Sequence, residues 1–241
     1  MLNNPYKGHL YTLEGIEGCG KSTVLNYLQK KLPANKYIFL HEPGSTQAGE
    51  DIRSILLNKP YSSDLAPETN ALLFAASRAE LNDKVIIPNL KSGKNIIIDR
   101  YITSSIVYQG CLDTQQLYLT DTPFSELLAD KDASPENTYY YQWIKAINNF
   151  IVYPDLIFYL DVPVSLSEKR IKQRKSDNYL DRESVKVQKQ RKKYFDYLSD
   201  LKSENNHIVR IACTDFESEK SVEEISEEIL NLIQKNEGKR R

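Results

Sequence analysis

Long apolar segments are missing from this sequence of 241 residues. No stretch approaches the roughly 18 uncharged apolar residues that a membrane-spanning helix needs. The first nine residues are polar and lack the apolar centre of a signal peptide. We therefore expect a cytoplasmic protein that has no membrane partner.

Cysteine is scarce and net charge is almost absent. The three cysteines, Cys19, Cys111 and Cys213, lie far apart without CxxC spacing, which favours a reducing compartment over a disulfide framework. The formal net charge is -1, so no overall positive field points to a nucleic-acid partner. The whole sequence is 40% apolar and 27% charged, which is typical of a globular protein. We expect a single domain over residues 1–241.

Short apolar runs alternate with longer helical patterns along the chain. Five runs predict buried strands, at residues 10–14, 37–41, 95–99, 156–161 and 207–211. Helices are predicted at residues 21–32, 48–57, 68–87, 165–174, 184–201 and 222–233, and Pro67 and Pro88 bound the third of them. This order predicts an α/β fold with a five-stranded parallel sheet covered by helices on both faces.

Two segments interrupt this alternation. An insertion at about residues 111–142 is long for a connection in a compact domain and ends in Tyr139, Tyr140 and Tyr141. It could cover a dimer surface or cap a cleft, but our default expectation is a disordered loop. The second segment, at about residues 172–183, is dense in charge and predicts a mobile surface flap.

A phosphate-binding loop follows the first predicted strand. Residues 15–22, G-I-E-G-C-G-K-S, fit the pattern G-x-x-x-x-G-K-[ST] between a strand and a helix. Backbone N–H groups and the helix N-terminus can surround phosphate oxygens there. Lys21 should reach the β and γ phosphates of ATP, and the Ser22 hydroxyl should bind Mg²⁺. The predicted nucleotide-binding residues are Gly15, Ile16, Glu17, Gly18, Cys19, Gly20, Lys21, Ser22 and Thr23.

GTPases share this loop, but they also need an N-K-x-D motif to bind guanine. The Asn-Lys pairs at residues 35–36 and 58–59 are not followed by that Asp. A chance match to a Gly-rich turn is disfavoured by the flanking strand and helix. The sequence therefore predicts a protein that binds a nucleoside triphosphate and is not a GTPase.

The third predicted strand ends in Asp99, followed by Arg100. An Asp at the carboxyl end of a parallel strand faces the ligand crevice of the sheet, where it can hold Mg²⁺ directly or through water. Arg100 offers a planar, permanently charged group for a phosphate. Alternatively, Asp99 caps the next helix and Arg100 forms a surface salt bridge.

Five blocks in order resemble the thymidylate kinase family, over about residues 10–232. They are L-E-G-I-E-G-C-G-K-S-T at 13–23, H-E-P-G-S-T…G-E-D-I-R at 41–53, L-L-F-A-A-S-R at 72–78, D-R-Y…S-S-I-V-Y-Q-G at 99–110 and P-D-L-I-F-Y-L-D-V at 154–162. The resemblance implies the P-loop nucleoside monophosphate kinase fold with a lid segment. It also implies a homodimer that phosphorylates dTMP to dTDP with ATP and Mg²⁺. His41 stands where the family usually has Arg, and Ser45 replaces a Gly.

The resemblance assigns roles around the acceptor nucleotide. Phe74 stacks on thymine and Arg78 donates to a thymine carbonyl, while Glu17 accepts from the 3′-hydroxyl. Tyr108 fills the space of a ribose 2′-hydroxyl. A core aromatic is the alternative for Phe74, but its spacing of four residues from Arg78 favours a shared ligand.

The resemblance also assigns the groups that bind phosphate and adenine. Arg53 and Arg100 clamp the dTMP phosphate, and Pro43, Ser104 and Ser105 complete the acceptor site. The phosphate loop contains no Arg, which by the family's pattern requires a catalytic arginine from the lid, Arg174 or Arg182. Arg170 stacks on adenine. A solvated basic helix face is the alternative for each of these lid arginines.

Two rival functions remain at this point. Another nucleoside monophosphate kinase, or a deoxynucleoside kinase, could share the same core. A non-catalytic nucleotide-binding or scaffolding protein is the second rival, with the insertion carrying the function. Intact Lys21, Ser22, Asp99 and Arg100 argue against the second rival.

Overall fold

The structure of the chain is a computed structural model that describes residues 4–110, 139–173, 184–201, 207–215 and 218–238. Within these ranges, five parallel strands form one sheet in the order β2-β3-β1-β4-β5. They are β1 Leu10–Glu14, β2 Tyr37–His41, β3 Asn95–Asp99, β4 Leu156–Asp161 and β5 Ile208–Ala212. The predicted α/β fold with a five-stranded parallel sheet is confirmed.

Four strands have the predicted bounds, and β5 lies one residue later than predicted. Its register explains the shift, because Ile208 pairs with Ile157 and Ala212 pairs with Asp161, the last residue of β4. His207 precedes β5 and only accepts a backbone hydrogen bond from Ile157. The bounds of an edge strand therefore follow the strand that it pairs with.

The core lies on both sides of the sheet. Every residue of β1 is buried, and Ile96, Ile97 and Ile98 of β3 are fully buried. Consecutive buried residues point to opposite faces of a strand, so both faces are covered. The register pairs Leu13 with Asp99 and His41 with Asp99, which brings the carboxyl ends of β1, β2 and β3 to one edge.

Nine α-helices lie within the described ranges. They are α1 Lys21–Lys31, α2 Gln47–Arg53, α3 Pro67–Leu81, α4 Ile87–Lys91, α5 Ile102–Tyr108, α6 Tyr139–Ile147, α7 Val164–Gln173, α8 Val185–Asp200 and α9 Val222–Gly238. Two π-helical segments, Ser54–Asn58 and Asn82–Ile86, follow α2 and α3. None of these helices has both the length and the apolar character that crossing a bilayer requires.

The prediction that a helix ends at Pro88 is wrong. The π-helical segment Asn82–Ile86 connects α3 to α4, and Pro88 lies in the first turn of α4. Proline is tolerated there because the first N–H groups of a helix have no partner within it. The second predicted helix is also divided, since α2 ends at Arg53 and the π-helical segment Ser54–Asn58 continues it.

The last helix extends past its predicted end at residue 233. Glu237 accepts hydrogen bonds from Lys36 and Asn95 at 2.6 Å each, and from the Tyr37 hydroxyl. These contacts to the start of β2 and β3 hold the final turns of α9 against the sheet. The sequence pattern could not reveal them because the partners lie about two hundred and one hundred and forty residues away.

Helices α5 and α6 were not predicted. All seven residues of α5 are buried, so it lacks the alternation of polar and apolar faces that marks a surface helix. Helix α6 contains the tyrosine cluster, and its Tyr141 and Ile144 are buried in the core. The expectation of a disordered loop is therefore wrong for this end of the insertion. Residues 111–138 lie outside the described residues.

Candidate active site

A cavity of about 1120 Å³ opens at the carboxyl ends of the strands. Pockets for one small ligand are typically about 300–1,000 Å³, so this cavity is slightly larger than a usual pocket for one ligand. Most of the predicted site residues line it. They are residues 17–23 of the phosphate loop, together with Pro43, Arg53, Phe74, Arg78, Asp99, Arg100, Ser104, Ser105, Tyr108 and Arg170.

A few predicted residues do not line the cavity. Gly15 and Ile16 contribute through their backbone, since both carbonyls accept a hydrogen bond from Lys21. Arg174 and Arg182 lie outside the described residues, as does most of the predicted lid at 172–183.

The phosphate loop depends on glycines in left-handed conformations. Gly18 has φ 74° and Gly20 has φ 106°, and a Cβ on Gly18 would lie 2.6 Å from the Ser167 carbonyl oxygen. Only glycine adopts such conformations at little cost. Lys21 is 6% exposed, and its Nζ donates to the Gly15 and Ile16 carbonyls at 2.9 Å each. Its positive charge is thereby held over the loop.

Ser22 and Asp99 form a set of oxygen ligands that suits Mg²⁺. The Ser22 hydroxyl donates to Asp99 Oδ2 at 2.7 Å. Asp99 Oδ1 is buried and has no hydrogen-bond partner within the described residues. Hydroxyl and carboxylate oxygens are the ligands that Mg²⁺ prefers, so the residues present fit this ion. Asp99 does not cap helix α5, which starts after Tyr101 without a side-chain cap.

Arg100 connects the phosphate loop to helix α5. Its Nη1 donates to the Gly15 carbonyl at 3.2 Å and to Ser104 Oγ at 3.1 Å, and its Nη2 donates to Glu17 Oε1 at 3.1 Å. It therefore does not form the surface salt bridge considered above. Its φ is 69°, a conformation that costs a non-glycine residue about 1–2 kcal/mol. Such strain is typical of functional positions.

Glu17 is buried among positively charged and amide groups. Its carboxylate is 3.1 Å from Arg100, 3.5 Å from Arg191 Nη1 and 3.0 Å from Gln188 Nε2. Burial raises the pKa of Glu17, but Arg100, Arg191 and Lys21 outweigh burial and lower the pKa to about 2. Glu17 is thus ionised at neutral pH and can only accept hydrogen bonds.

Sequence reasoning missed Gln188 and Arg191, which belong to helix α8. They lie three residues apart and are both buried, whereas the helix as a whole is basic. Only their burial distinguishes these two residues from the other polar residues of the helix. Burial is known from the fold and not from the sequence.

Arg78 is fixed by four acceptors, one of which is the Tyr101 carbonyl at 3.4 Å from Nη2. Its Nε donates to Glu42 Oε2 at 2.8 Å, its Nη1 to Asn148 Oδ1 at 2.7 Å and its Nη2 to Ser105 Oγ at 2.9 Å. Arg78 is 1% exposed, yet it lines the cavity. Neither Glu42 nor Asn148 was predicted as a site residue. Their contacts hold the guanidinium plane in one orientation.

Two buried carboxyl groups of the site, Glu42 beside Arg78 and Glu14 beside Ser104, have raised pKa values. Burial raises the pKa of Glu42 to about 7, although Arg78 opposes the rise. Burial also raises the pKa of Glu14 to about 7, against the hydrogen bond from the Ser104 hydroxyl at 2.5 Å and the charge of Arg100. The charge beside Arg78 therefore changes around physiological pH.

Aromatic rings line the part of the cavity near Arg78 and Arg100. Phe74 is half-buried and lies four residues before Arg78 on α3, and both line the cavity as a pair. The Tyr108 ring contacts two guanidinium groups, with its centre 5.0 Å from Arg100 Cζ and 4.0 Å from Arg191 Cζ. Guanidinium groups at these distances attract the ring electrostatically.

The end of β2 and the turn after it contain the two departures from the family pattern, His41 and Ser45. His41 Nε2 is 3.2 Å from Glu50 Oε1, and His41 Nδ1 is 3.2 Å from the Pro43 carbonyl. Ser45 has φ 63°, where glycine would be less strained. Its hydroxyl accepts from the His41 N–H at 2.8 Å and donates to the His41 carbonyl at 3.0 Å, which stabilises the strained turn.

Arg53 and Arg170 occupy two other parts of the cavity wall. Arg53 Nη1 donates to the Pro43 carbonyl at 2.8 Å. Arg170 Nη1 donates to the Cys19 carbonyl at 3.2 Å, and its Nη2 is 3.3 Å from Glu219 Oε2. Arg170 thus borders the phosphate loop, and Arg53 lies with the residues after β2.

Comparisons with known proteins agree with this geometry. The family model described as thymidylate kinase matches residues 13–125 and 133–235. The thymidylate kinase of Fervidobacterium nodosum is 33% identical over 92% of this chain and 96% of its own length. That of Kosmotoga olearia is 35% identical over 91% and 92%. The solved thymidylate kinase from Candida albicans superposes with a TM-score of 0.68 and 25% identity, covering 95% of this chain and 93% of its own. The chain therefore belongs to the thymidylate kinase family.

Proposed function

We propose that this chain transfers the γ-phosphoryl group of ATP to dTMP, forming dTDP. The observation that carries the proposal is one cavity lined both by the phosphate loop and by the Phe74–Arg78 pair. Arg100 lies between them, bonded to Gly15 and Glu17 on one side and to Ser104 on the other. A donor and an acceptor phosphate bound in this cavity would meet beside Arg100.

On the acceptor side, the cavity offers apolar area and oriented donors. Phe74 stacks on the thymine ring, and Arg78 donates to a thymine carbonyl. The contacts of Arg78 to Glu42, Asn148, Ser105 and the Tyr101 carbonyl use four of its five N–H groups. One Nη1 hydrogen has no protein partner within the described residues. That donor favours a carbonyl over the amino group of cytosine.

The sugar and phosphate of dTMP contact the same wall. Glu17, as a carboxylate, accepts from the 3′-hydroxyl, and Tyr108 fills the position of a 2′-hydroxyl. Arg53 and Arg100 bind the phosphate as planar, charged donors. Pro43, Ser104 and Ser105 complete this part of the cavity wall.

On the donor side, residues 15–23 surround the ATP phosphates, and Arg170 stacks on adenine. Lys21 reaches the β and γ phosphates by leaving the two loop carbonyls. Ser22 and Asp99 would hold Mg²⁺, which supplies neutralisation of charge on the transferred phosphoryl group. The catalytic arginine comes from the lid, as Arg174 or Arg182, because the phosphate loop contains none.

No general base is needed for this reaction. The attacking oxygen belongs to a phosphate that is already anionic near neutral pH. Catalysis then consists of positioning and of neutralising charge in a metaphosphate-like transition state. Lys21 and Arg100 provide positive charge at the point where the two phosphates meet.

We further propose a single-domain, cytoplasmic homodimer with neither a nucleic-acid nor a membrane partner. The family resemblance supports the dimer, and the cysteine content and net charge of -1 support the remaining points. Light scattering should give twice the chain mass of 27.8 kDa. A mass of one chain at micromolar concentration would exclude the dimer.

The proposed activity is tested with a panel of phosphate acceptors. Purified protein with ATP and Mg²⁺ should phosphorylate dTMP with a higher kcat/KM than dUMP, dCMP, AMP or thymidine. The thymidylate kinase from Candida albicans is described as having broad substrate specificity, so dUMP is the informative competitor. Faster turnover of dCMP or AMP would indicate a different nucleoside monophosphate kinase. ATP binding without transfer to any acceptor would indicate a non-catalytic protein.

A further inference from the structure

Arg191 of helix α8 touches both residues that we propose to contact the sugar of dTMP. Its guanidinium carbon lies 4.0 Å from the centre of the Tyr108 ring, and its Nη1 lies 3.5 Å from Glu17 Oε2. Arg191 is 6% exposed, and it is not among the residues that line the cavity. Arg191 therefore lies behind the cavity wall and contacts two residues that line the cavity.

The arrangement pairs Arg191 with Arg100 around the same two side chains. Arg100 binds Glu17 through Oε1, and Arg191 approaches Glu17 through Oε2. Both guanidinium groups also lie against the Tyr108 ring, at 5.0 Å and 4.0 Å. Glu17 and Tyr108 thus each contact the same two positively charged groups in a buried setting, where such attractions are strong.

Arg191 differs from Arg100 in its access to the cavity. Arg100 lines the cavity and is placed to bind phosphate, whereas Arg191 faces protein groups. Gln188, one helical turn earlier, donates to the same Glu17 oxygen at 3.0 Å. Helix α8 therefore presents two groups that fix the Glu17 carboxylate, and one of them also fixes the Tyr108 ring.

We propose that Arg191 is a positioning residue that sets the enzyme's choice of sugar. It holds Tyr108 where a 2′-hydroxyl would go, and it holds Glu17 where the 3′-hydroxyl is read. This inference rests on the proposed function. It extends that function, because it assigns sugar selectivity to a residue that does not touch the nucleotide.

Two substitutions separate the two contacts. Arg191→Met removes the charge and the planar group but keeps an apolar chain of similar reach. Arg191→Lys keeps a positive charge near Glu17 but lacks the planar face that lies on Tyr108. The lysine variant should therefore lose selectivity at the 2′ position and retain it at the 3′ position.

The experiment compares kcat/KM for dTMP, ribothymidine 5′-monophosphate and 3′-deoxythymidine 5′-monophosphate, with ATP saturating. In Arg191→Met, the preference for dTMP over each analogue should fall by about tenfold, while KM for ATP stays within about twofold. In Arg191→Lys, only the preference over the ribonucleotide should fall, since charge is kept and planarity is lost. Equal losses on all three nucleotides, or unchanged ratios, would overturn the inference.

Arg210→Met is the matched control. Arg210 Cζ also lies over a tyrosine ring, 5.8 Å from the centre of Tyr159, and its Nη2 is 3.1 Å from Asp200, but it is not part of the cavity wall. The selectivity ratios of Arg210→Met should equal those of the wild type.

If Arg191→Met does not fold, as judged by thermal unfolding, the ratios of Arg191→Lys decide. A wild type that fails to phosphorylate dTMP refutes the proposed function instead, so the two failures are distinguishable.

Discussion

At the scale of single residues, the site is built from charges that the fold holds in costly positions. Arg100 has a positive φ, Arg78 is 1% exposed, and Glu17 is ionised although it is buried. Each is stabilised by partners from distant parts of the chain. The local motif predicted Lys21 and Ser22, because their chemistry depends on neighbours in sequence, and the end of the third strand predicted Arg100. It could not predict Asn148 or Arg191, whose partners lie 70 and 174 residues away.

Lys21 provides the first test at this scale. Lys21→Ala should lower kcat by about 10³-fold or more, because charge neutralisation is the main source of catalysis here. Steady-state formation of dTDP measures the effect. Lys30→Ala, which removes an exposed charge from the same helix, should leave kcat unchanged. A kcat near that of the wild type in Lys21→Ala would contradict the assigned role.

Glu42 provides a test through pH. Its pKa is raised to about 7 in the folded chain by burial, so the folded state binds a proton more tightly than the unfolded state. The free energy of unfolding should therefore fall as pH rises from about 4.5 to about 7. In Glu42→Gln this contribution is absent, and the profile should be flatter by on the order of 3 kcal/mol.

Urea unfolding at several pH values measures this difference. Glu227→Gln, at an exposed position of α9, should follow the wild-type profile. Glu17 affects the free energy of unfolding in the opposite direction, because its pKa is lowered to about 2 in the folded chain. Its contribution to stability is lost only as pH falls below about 4.5. Parallel profiles for Glu42→Gln and the wild type between pH 4.5 and 7 would show that Glu42 does not titrate there.

At the scale of helices and strands, burial decided what the sequence could reveal. Strands β1 to β4 were predicted with the correct bounds, since each is a short apolar run bounded by turn or helix signals. Helix α5 was missed because it is buried all round and has no polar face. The helix end predicted at Pro88 was wrong, because a π-helical segment joins α3 to α4 and Pro88 lies in the first turn of α4.

The lid is the element whose role rests on sequence alone. Arg174→Ala combined with Arg182→Ala should lower kcat more than it changes KM for dTMP, because a lid completes the site only when it closes. Lys186→Ala combined with Lys189→Ala removes two exposed charges from the neighbouring helix α8 and serves as the control. If only KM for dTMP changes in the arginine variant, the catalytic arginine lies elsewhere.

At the scale of the whole molecule, one sheet edge gathers the working parts. The carboxyl ends of β1 and β3 supply Glu14, Asp99 and the residues that follow them, and the register of the parallel strands aligns these ends. The long helices α8 and α9 contact these parts from far along the chain, α8 at Glu17 of the phosphate loop and α9 at Tyr37 of β2. The fold class could be predicted from the alternation of strands and helices. The contacts of α8 and α9 with residues far away in sequence could be found only in the structure.

The central claim is that thymine and ATP bind together in the one cavity, with the base between Phe74 and Arg78. A crystal structure with dTMP and a non-hydrolysable ATP analogue tests it most directly. We predict a thymine carbonyl within about 3.2 Å of an Arg78 nitrogen, and the Phe74 ring stacked on the base at about 4–5 Å between centres. A structure in which Phe74 and Arg78 make no contact with the bound base would contradict the account.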